Sequence, residues 1–468
     1  MVQPTAVRAT VGVDPLTSRV TVKLSASKPT LRLDTSERQK AHWPKPVQPP
    51  PPDQVRTIAG TSTPLLVFVN SRSGANKGQG LLEQFVAEFG EAQVCDLGKV
   101  GCGGPNLHDV LTPFVGVSGT RVLVCGGDGT CSWLLTAIAR ACEGTAAAPE
   151  TTLPVAVMPL GTGNDLSRAL GWGHGFMGKV MRDPAFLQRV GAARRTQLDR
   201  WSITLEGWCE GLPRHFRPID DGNMSVRVTP GAVERAEGGE GRGRHRGVFI
   251  NYLGLGLEAA TLHAFHKARE ANPSKFARHR LLNQAKLLYY GVPVSGVCAP
   301  CLGPPYPQLA QCVRMHVQAE RGGAWDELEL PPRLRAIIFL NIKSHAAGRN
   351  MWAPVAKGFH AQSACDGVLE VAGLSSATHF GLYLTMGRGV FSACSGRALA
   401  QATAVRFTLL EPIAMQSDGE PWLQPAGEVL IEHAGASAIL ESPKRTERKA
   451  RREAPVSAQD VVLTTGDR

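Results

Sequence analysis

From residue 64 onward, short wholly apolar runs alternate with polar, glycine-rich turns. Leu65-Leu66-Val67-Phe68-Val69 has the length and continuity of a strand buried on both faces, and Asn70-Ser71-Arg72-Ser73-Gly74 follows it as a loop. Leu81 to Phe89 then carries apolar residues at helical spacing. Val122-Leu123-Val124-Cys125 is a second run, ending in Gly126-Gly127-Asp128-Gly129-Thr130 and leading into a helical pattern from Ser132 to Arg140. Val155-Ala156-Val157-Met158 is a third, ending in Pro159-Leu160-Gly161-Thr162-Gly163-Asn164-Asp165 with another helix behind it. Strand, turn and helix recurring in this order predict an open, Rossmann-like α/β domain with its ligand loops at the carboxyl ends of the strands.

After Leu198 the texture changes. Trp201 to Thr204, Val248 to Leu253, Arg335 to Ile342, Val368 to Leu374 and Arg406 to Leu409 read as strands separated by long loops. They predict a second, mainly β, sandwich-like domain over 200–441. Residues 206–246 are polar and glycine-rich and are expected to form a mobile insertion, and Ala259 to Tyr290 reads as helical, interrupted at Pro273. Residues 1–63, which include Pro49-Pro50-Pro51-Pro52, are expected to be disordered, as is the tail 442–468. The domain plan is thus a disordered segment 1–63, an α/β domain 64–199, a β domain 200–441 and a basic tail. The basic bias up to Arg32 is shared by organellar transit peptides and by ordinary flexible tails, so organellar targeting stays open, whereas a secretory apolar stretch is missing.

Composition narrows the classes. With 43% hydrophobic residues in a 468-residue chain, there is enough apolar material for sizeable cores. No apolar run is long enough to span a bilayer, so a cytoplasmic protein, peripherally associated with membranes, is expected. A net charge of +11 calls for an anionic partner. No helix-turn-helix, zinc-finger or RNA-binding signature accompanies it, so no nucleic acid is expected. Eleven scattered cysteines fit reduced thiols, and the Cys298/Cys301 pair lacks the second pair that a zinc site needs.

The glycine-rich turns carry the chemistry. In Gly126-Gly127-Asp128-Gly129-Thr130, glycines let backbone approach a phosphate, and the following helix offers N–H groups to the same anion. Asp128 adds a carboxylate for Mg²⁺ or a nucleotide hydroxyl, and Thr130 caps the helix or bonds phosphate. Taken alone, such a turn is as readily a helix cap; the buried strand before it and the helix after it favour phosphate. Gly161, Thr162, Gly163, Asn164 and Asp165 repeat the design, and Asn70, Ser73 and Gly74, followed by Lys77, supply a third loop. No P-loop occurs, nor do the catalytic-loop and metal-binding elements of protein kinases. Gly254-Leu255-Gly256 follows a strand, but no acid lies at the dinucleotide spacing, and it reads as a structural turn. Asp418-Gly419-Glu420 sets two carboxylates around a glycine, which is either an exposed turn or the group that accepts a hydroxyl proton.

These residues resemble the diacylglycerol kinase family. The likeness runs through GGDGT at Gly126–Thr130 with Trp133, PLGTGNDLSR at Pro159–Arg168, GWG at Gly171–Gly173 and LDRW at Leu198–Trp201. It continues through NYLGLGLEA at Asn251–Ala259, FHKAREANPSKF at Phe265–Phe276 and DGEPW at Asp418–Trp422, with Asn283-Gln284 resembling the compact plant enzymes. The resemblance implies a two-domain kinase that takes ATP and Mg²⁺ and converts diacylglycerol in membranes to phosphatidic acid. It implies that Asp128 positions nucleotide phosphates and metal, that Asp418 accepts the hydroxyl proton, and that Glu420 supports it. The sequence departs from the family at Ser71, where proline is usual, at Glu258, where aspartate is usual, and at Lys343-Ser344-His345. Cysteine-rich lipid-sensing modules and calcium loops are missing. Recruitment to an anionic lipid surface then falls to the basic stretch from Lys444 to Arg452, which also reads as a solvated tail. A kinase of sphingosine, ceramide or NAD, and a non-catalytic nucleotide-binding scaffold, are the alternatives.

Overall fold

The computed structural model describes residues 8–13, 20–25, 55–73, 77–100, 107–115, 117–142, 153–161, 163–175, 184–207, 211–213, 216–219, 243–272, 306–352, 355–375 and 396–443. The chain divides into two units, Met1–Pro46 and Val47–Arg468. In the first, Arg8–Val13 pairs antiparallel with Val20–Ser25, so the segment expected to be disordered contains one hairpin. Its alternating valine and threonine positions supply the β-branched residues that a pleated pair favours. The second unit carries all the other elements.

The three apolar runs become β1 (Leu65–Val69), β3 (Arg121–Gly126) and β4 (Val155–Pro159) of a parallel sheet, with β2 (Val94–Asp96) added at its edge. Spatial order is β2-β1-β3-β4, in registers such as Leu65 opposite Arg121 and Val122 opposite Val155. Helices cover both faces, which is why these strands are apolar at every position rather than at alternate ones. On one face α1 (Lys77–Phe89) packs Leu81, Phe85 and Phe89 on Leu65, Val67 and Val69. On the other, α2 (Leu107–Leu111) and α3 (Asp128–Ala141) pack on Leu66, Phe68, Val122 and Val124 through Leu111, Leu134 and Ile138. Two short helices follow, α4 (Asp165–Ala169) and α5 (Pro184–Gly191). Residues before Pro64 also belong to this domain: Ile58 is buried in the α1 face, and Arg56 N–H donates to Gln93 Oε1 at 2.7 Å.

The sheet does not stop at β4. Beyond β5 (Arg194–Glu206), β6 (Arg244–Phe249) and β7 (Tyr252–Gly256), helix α6 (Leu257–Ala271) ends just before Pro273. The remaining labelled strands are β8 (Val313–Gln318), β9 (Ala336–Leu340), β10 (Leu369–Leu374), β11 (Arg397–Ala402), β12 (Ala404–Leu409), β13 (Ile413–Ser417), β14 (Glu420–Gln424) and β15 (Gly427–Glu441). Ile439 of β15 lies parallel to Val155 of β4, while β15 pairs antiparallel with β5 from Val429 opposite Leu205 to Glu441 opposite Arg194. The parallel sheet is thereby continued into the β domain, and the boundary placed at 199/200 falls inside a shared strand.

A second, antiparallel sheet, β11-β10-β9-β7-β13-β14, stacks on this continuation. Between them lie Trp201, Phe249, Leu255, Phe339, Phe407 and Trp422, with the Phe339 and Phe407 rings stacked at 5.8 Å. The result is the sandwich that the strand-like runs predicted, with Leu257 of α6 packed into the cluster on the far face of the second sheet. Within 206–246, Arg217–Ile219 pairs with β6, while 208–210, 214–215 and 220–242 lie outside the described residues, as do 273–305, including Asn283-Gln284 and Cys298/Cys301, and the tail 444–468. Among the described residues no helix is long and apolar enough to cross a membrane, and Cys95, Cys125, Cys131, Cys142 and Cys312 are buried thiols.

Candidate active site

The three loops meet at the carboxyl end of the parallel sheet because their strands are neighbours there. Asn70, the residue after β1, donates from its backbone N–H to Cys125 O at 3.0 Å and from Nδ2 to Thr130 Oγ1 at 3.1 Å. Loop one is thereby tied to loop two. Loops two and three touch through glycine: a Cβ on Gly161 would fall 2.7 Å from the Gly127 Cα, and one on Gly126 would fall 2.6 Å from the Thr130 Cβ. Close approach of protein to itself is thus one reason these positions are glycine. Ser73 closes the first loop with its N–H on Asn70 O at 3.0 Å, and Lys77 opens α1. Gly74 and Thr162 lie outside the described residues.

The carboxylates take different directions. Asp128 opens α3 and caps α4, its oxygens accepting the N–H groups of Asp165 and Leu166 at 3.0 Å each. Asp165 faces the loop after β9. It accepts Ser344 Oγ–H at 2.6 Å, Gly348 N–H at 2.9 Å, Ala347 N–H at 3.1 Å and the Tyr252 hydroxyl at 3.3 Å. Ala346 and Ala347 are left-handed there, with φ of 46° and 71°, a conformation that L residues adopt only when neighbours enforce it. Asn164, itself at φ 52°, holds loop three closed by donating from Nδ2 to Gly161 O at 2.6 Å. Gly163 lies against both acids: a Cβ on it would be 3.2 Å from Asp128 Oδ2 and 3.4 Å from Asp165 Oδ2.

Asp418 and Gly419 occupy the two-residue turn between β13 and β14, with φ of 49° and 89°, as a hairpin of this length requires. The Asp418 carboxylate points inward and accepts the N–H groups of Asn251 at 2.8 Å, Ile250 at 3.0 Å and Tyr252 at 3.2 Å. Glu420 leaves the same turn in another direction and lies over the start of α3, where a Cβ on Gly129 would be 2.8 Å from its Oε1. A cleft of about 430 Å³ opens there, lined by Asn70, Arg72, Gly129, Thr130, Trp133 and Glu420 among others. The cleft thus collects Asn70, Gly129, Thr130 and Glu420 from the residues expected at the site; Asp165 and Asp418 brace the loops around it.

Charge is concentrated. Burial, then the neighbouring Asp165 and Asp418, pushes the Asp128 carboxyl up to about 7 despite two amide donors. Burial raises Asp418 to about 6, opposed by its three backbone N–H groups and the Ser132 hydroxyl. The Tyr252 hydroxyl is driven well above its usual range by burial and by Asp165. Tyr252, Ser344 and the 346–348 loop were not singled out from sequence. Tyr252 sits within the NYLGLGLEA motif, and Ser344 within the stretch that departs from the family, so position in a motif was the only available signal.

A parallel α/β sheet whose glycine loops frame a cleft, continued by a β-sandwich that contributes an acid to it, is the architecture of a phosphotransferase of two co-operating domains. The family models for the diacylglycerol kinase catalytic domain and the diacylglycerol kinase accessory domain match residues 64–185 and 248–421. Diacylglycerol kinase 1 of Oryza sativa subsp. japonica is 31% identical over 416 residues, covering 80% of this chain and 78% of the rice protein. Diacylglycerol kinase 5 of Arabidopsis thaliana is 31% identical over 78% of this chain and 73% of its own length. Diacylglycerol kinase theta of Homo sapiens is 34% identical over 83% of this chain, which spans only 36% of the human protein. The chain belongs to the diacylglycerol kinase family and is a kinase.

Proposed function

We propose that this kinase transfers the γ-phosphate of ATP to the hydroxyl of diacylglycerol, giving ADP and phosphatidic acid, with Glu420 as the group that accepts the hydroxyl proton. One observation carries the assignment: Glu420 lines the cleft at the start of α3 and is partly exposed to it, whereas Asp418 is buried and does not line the cleft. The family resemblance implied Asp418 for that role; on this reading it anchors the turn from which Glu420 projects. Loops 70–77, 126–130 and 161–165 hold the nucleotide, with helix α3 directing N–H groups toward its phosphates.

The donor set fits a divalent cation held partly by the nucleotide. Among the described residues no three metal-ligating side chains cluster, so these residues form no closed cage. Burial raises Asp128 most, and the repulsion from Asp165 and Asp418 that adds to it is what a cation relieves. Mg²⁺ commonly uses one or two carboxylates together with substrate phosphates, and Asp128, partly exposed where Asp418 is buried, would hold it. When bound it offsets the negative charge of the phosphates. Diacylglycerol is a membrane lipid, and the basic stretch 444–452 is the proposed contact with an anionic leaflet, at about 1 kcal/mol per residue near the surface. Transfer of labelled γ-phosphate in mixed micelles of diacylglycerol, with sphingosine and ceramide as rival acceptors, tests the assignment. Phosphatidic acid as the dominant product supports it; a phosphorylated sphingoid base or ceramide in its place refutes it.

A further inference from the structure

Next to the nucleotide cleft, helix α3, the strand Arg217–Ile219 and β6 enclose a second cavity of about 260 Å³. It shares Thr136, Arg140 and Arg217 with the cleft and adds Arg246. Among the described residues its lining carries three arginines and no acidic side chain. The strand register also sets like charges side by side. Arg217 lies directly opposite Arg246 in the antiparallel pair, and like charges so placed destabilise a sheet. The row two residues along sets Glu206 opposite Arg244, so opposite charges meet there. On its other side Arg246 faces Thr204, whose hydroxyl accepts its Nε–H at 3.5 Å. Arg140 lies ten residues beyond Thr130 in α3, about 15 Å along the axis, so its backbone stands at the other end of the helix from Gly129.

We propose that this cavity is a phosphate-binding subsite, separate from the transfer centre, that takes a phosphate monoester dianion. Guanidinium forks match phosphate oxygens in pairs, and a dianion between Arg217 and Arg246 turns their repulsion into attraction. Two sources carry the group: a lipid phosphate monoester in a membrane, which is also the chemistry of the proposed product, and a water-soluble phosphate ester.

Arg246→Gln tests this, because Arg246 does not line the nucleotide cleft. The full chain is titrated with phosphatidylcholine vesicles with and without phosphatidic acid, with glycerol 3-phosphate, and with inorganic phosphate. ATP affinity and melting temperature serve as controls. The expected result is a roughly tenfold loss of affinity for the phosphate probe in Arg246→Gln, the factor carried by one charge-assisted hydrogen bond. ATP affinity stays unchanged, and the unliganded variant melts no lower than the parent. Arg246→Lys, which keeps the charge and loses the fork, falls between, and it supplies the test should Arg246→Gln not fold. Arg246-dependent binding to phosphatidic acid vesicles alone identifies the lipid source; the same dependence with glycerol 3-phosphate identifies the soluble one. Equal binding by parent and variants, no binding of any probe, or a parallel loss of ATP affinity overturns the proposal.

Discussion

Replacing Asp165 by asparagine separates a brace from a ligand. The carboxylate accepts four hydrogen bonds, from Ser344, Gly348, Ala347 and Tyr252, and is 1% exposed. An amide of the same shape keeps one acceptor oxygen and turns a donor toward the partners of the other. Two buried donors then lose their acceptor, at about 1–3 kcal/mol each, so the folded state loses about 2–6 kcal/mol. The loss concentrates in the 346–348 loop, because left-handed Ala346 and Ala347 each cost about 1–2 kcal/mol to hold. Urea unfolding followed by the fluorescence of buried Trp201, Trp352 and Trp422 reads the stability. Amide exchange at Ala347 and Gly348 reads the loop and is expected to lose protection in the variant. A variant within about 1 kcal/mol of the parent, with unchanged exchange but ATP affinity tenfold weaker, would refute this reasoning and make Asp165 a nucleotide ligand.

Gly161→Ala forces a Cβ to within 2.7 Å of the Gly127 Cα, so the two loops must separate. About 1–3 kcal/mol of stability and a measurable part of the ATP affinity are expected to go together, read by thermal melting and by nucleotide titration. Glu370, fully buried, has its carboxyl raised to about 8 by burial, with Asp366 adding to the shift. The folded protein therefore binds the proton more tightly than the unfolded chain, and stability falls as pH rises from about 4.5 to 8. Glu370→Gln removes that slope, so its advantage over the parent grows across this window, to the order of 3–5 kcal/mol, and levels off above it. For Asp128, raised to about 7, binding of Mg·ATP between pH 5 and about 7 is expected to release a proton that Asp128→Asn does not. Calorimetry in buffers of different ionisation enthalpy, at a pH where the nucleotide's own contribution is measured with the variant, reads the difference.

What the chain discloses about itself follows burial. Leu65–Val69 and Val155–Pro159 are buried at every position, so their continuous apolar runs were legible as strands. Val94–Asp96 was not, because three residues give no period. Gly427–Glu441 escaped for another reason: its first half alternates buried and partly exposed positions within the sandwich, and its last residues are buried throughout beside β4. A strand serving two environments shows neither pattern along its whole length. The glycine loops were readable because each follows a strand, and Asp418-Gly419 because it is both a hairpin turn and a carboxylate. The direction of each carboxylate was not readable. The partners of Asp165 stand 179 and 183 residues away, at Ser344 and Gly348, and the donors to Asp418 lie in 250–252. Pairing of β7 with β9 and β13 in the second sheet brings 250–252 beside those segments, so the proposed division of labour between Asp418 and Glu420 emerges from tertiary structure.

The central claim is tested most directly by turnover of diacylglycerol with Mg·ATP in the parent, Glu420→Gln and Asp418→Asn, with ATP affinity and melting temperature measured alongside. The parent is expected to make phosphatidic acid. Glu420→Gln is expected to lose about 10²–10⁴ in kcat while binding ATP and melting as the parent does. Asp418→Asn is expected to lose stability together with activity, since its oxygens hold three backbone N–H groups. A Glu420→Gln enzyme that turns over at the parent rate, or an Asp418→Asn enzyme that is inactive yet as stable as the parent, would contradict the account.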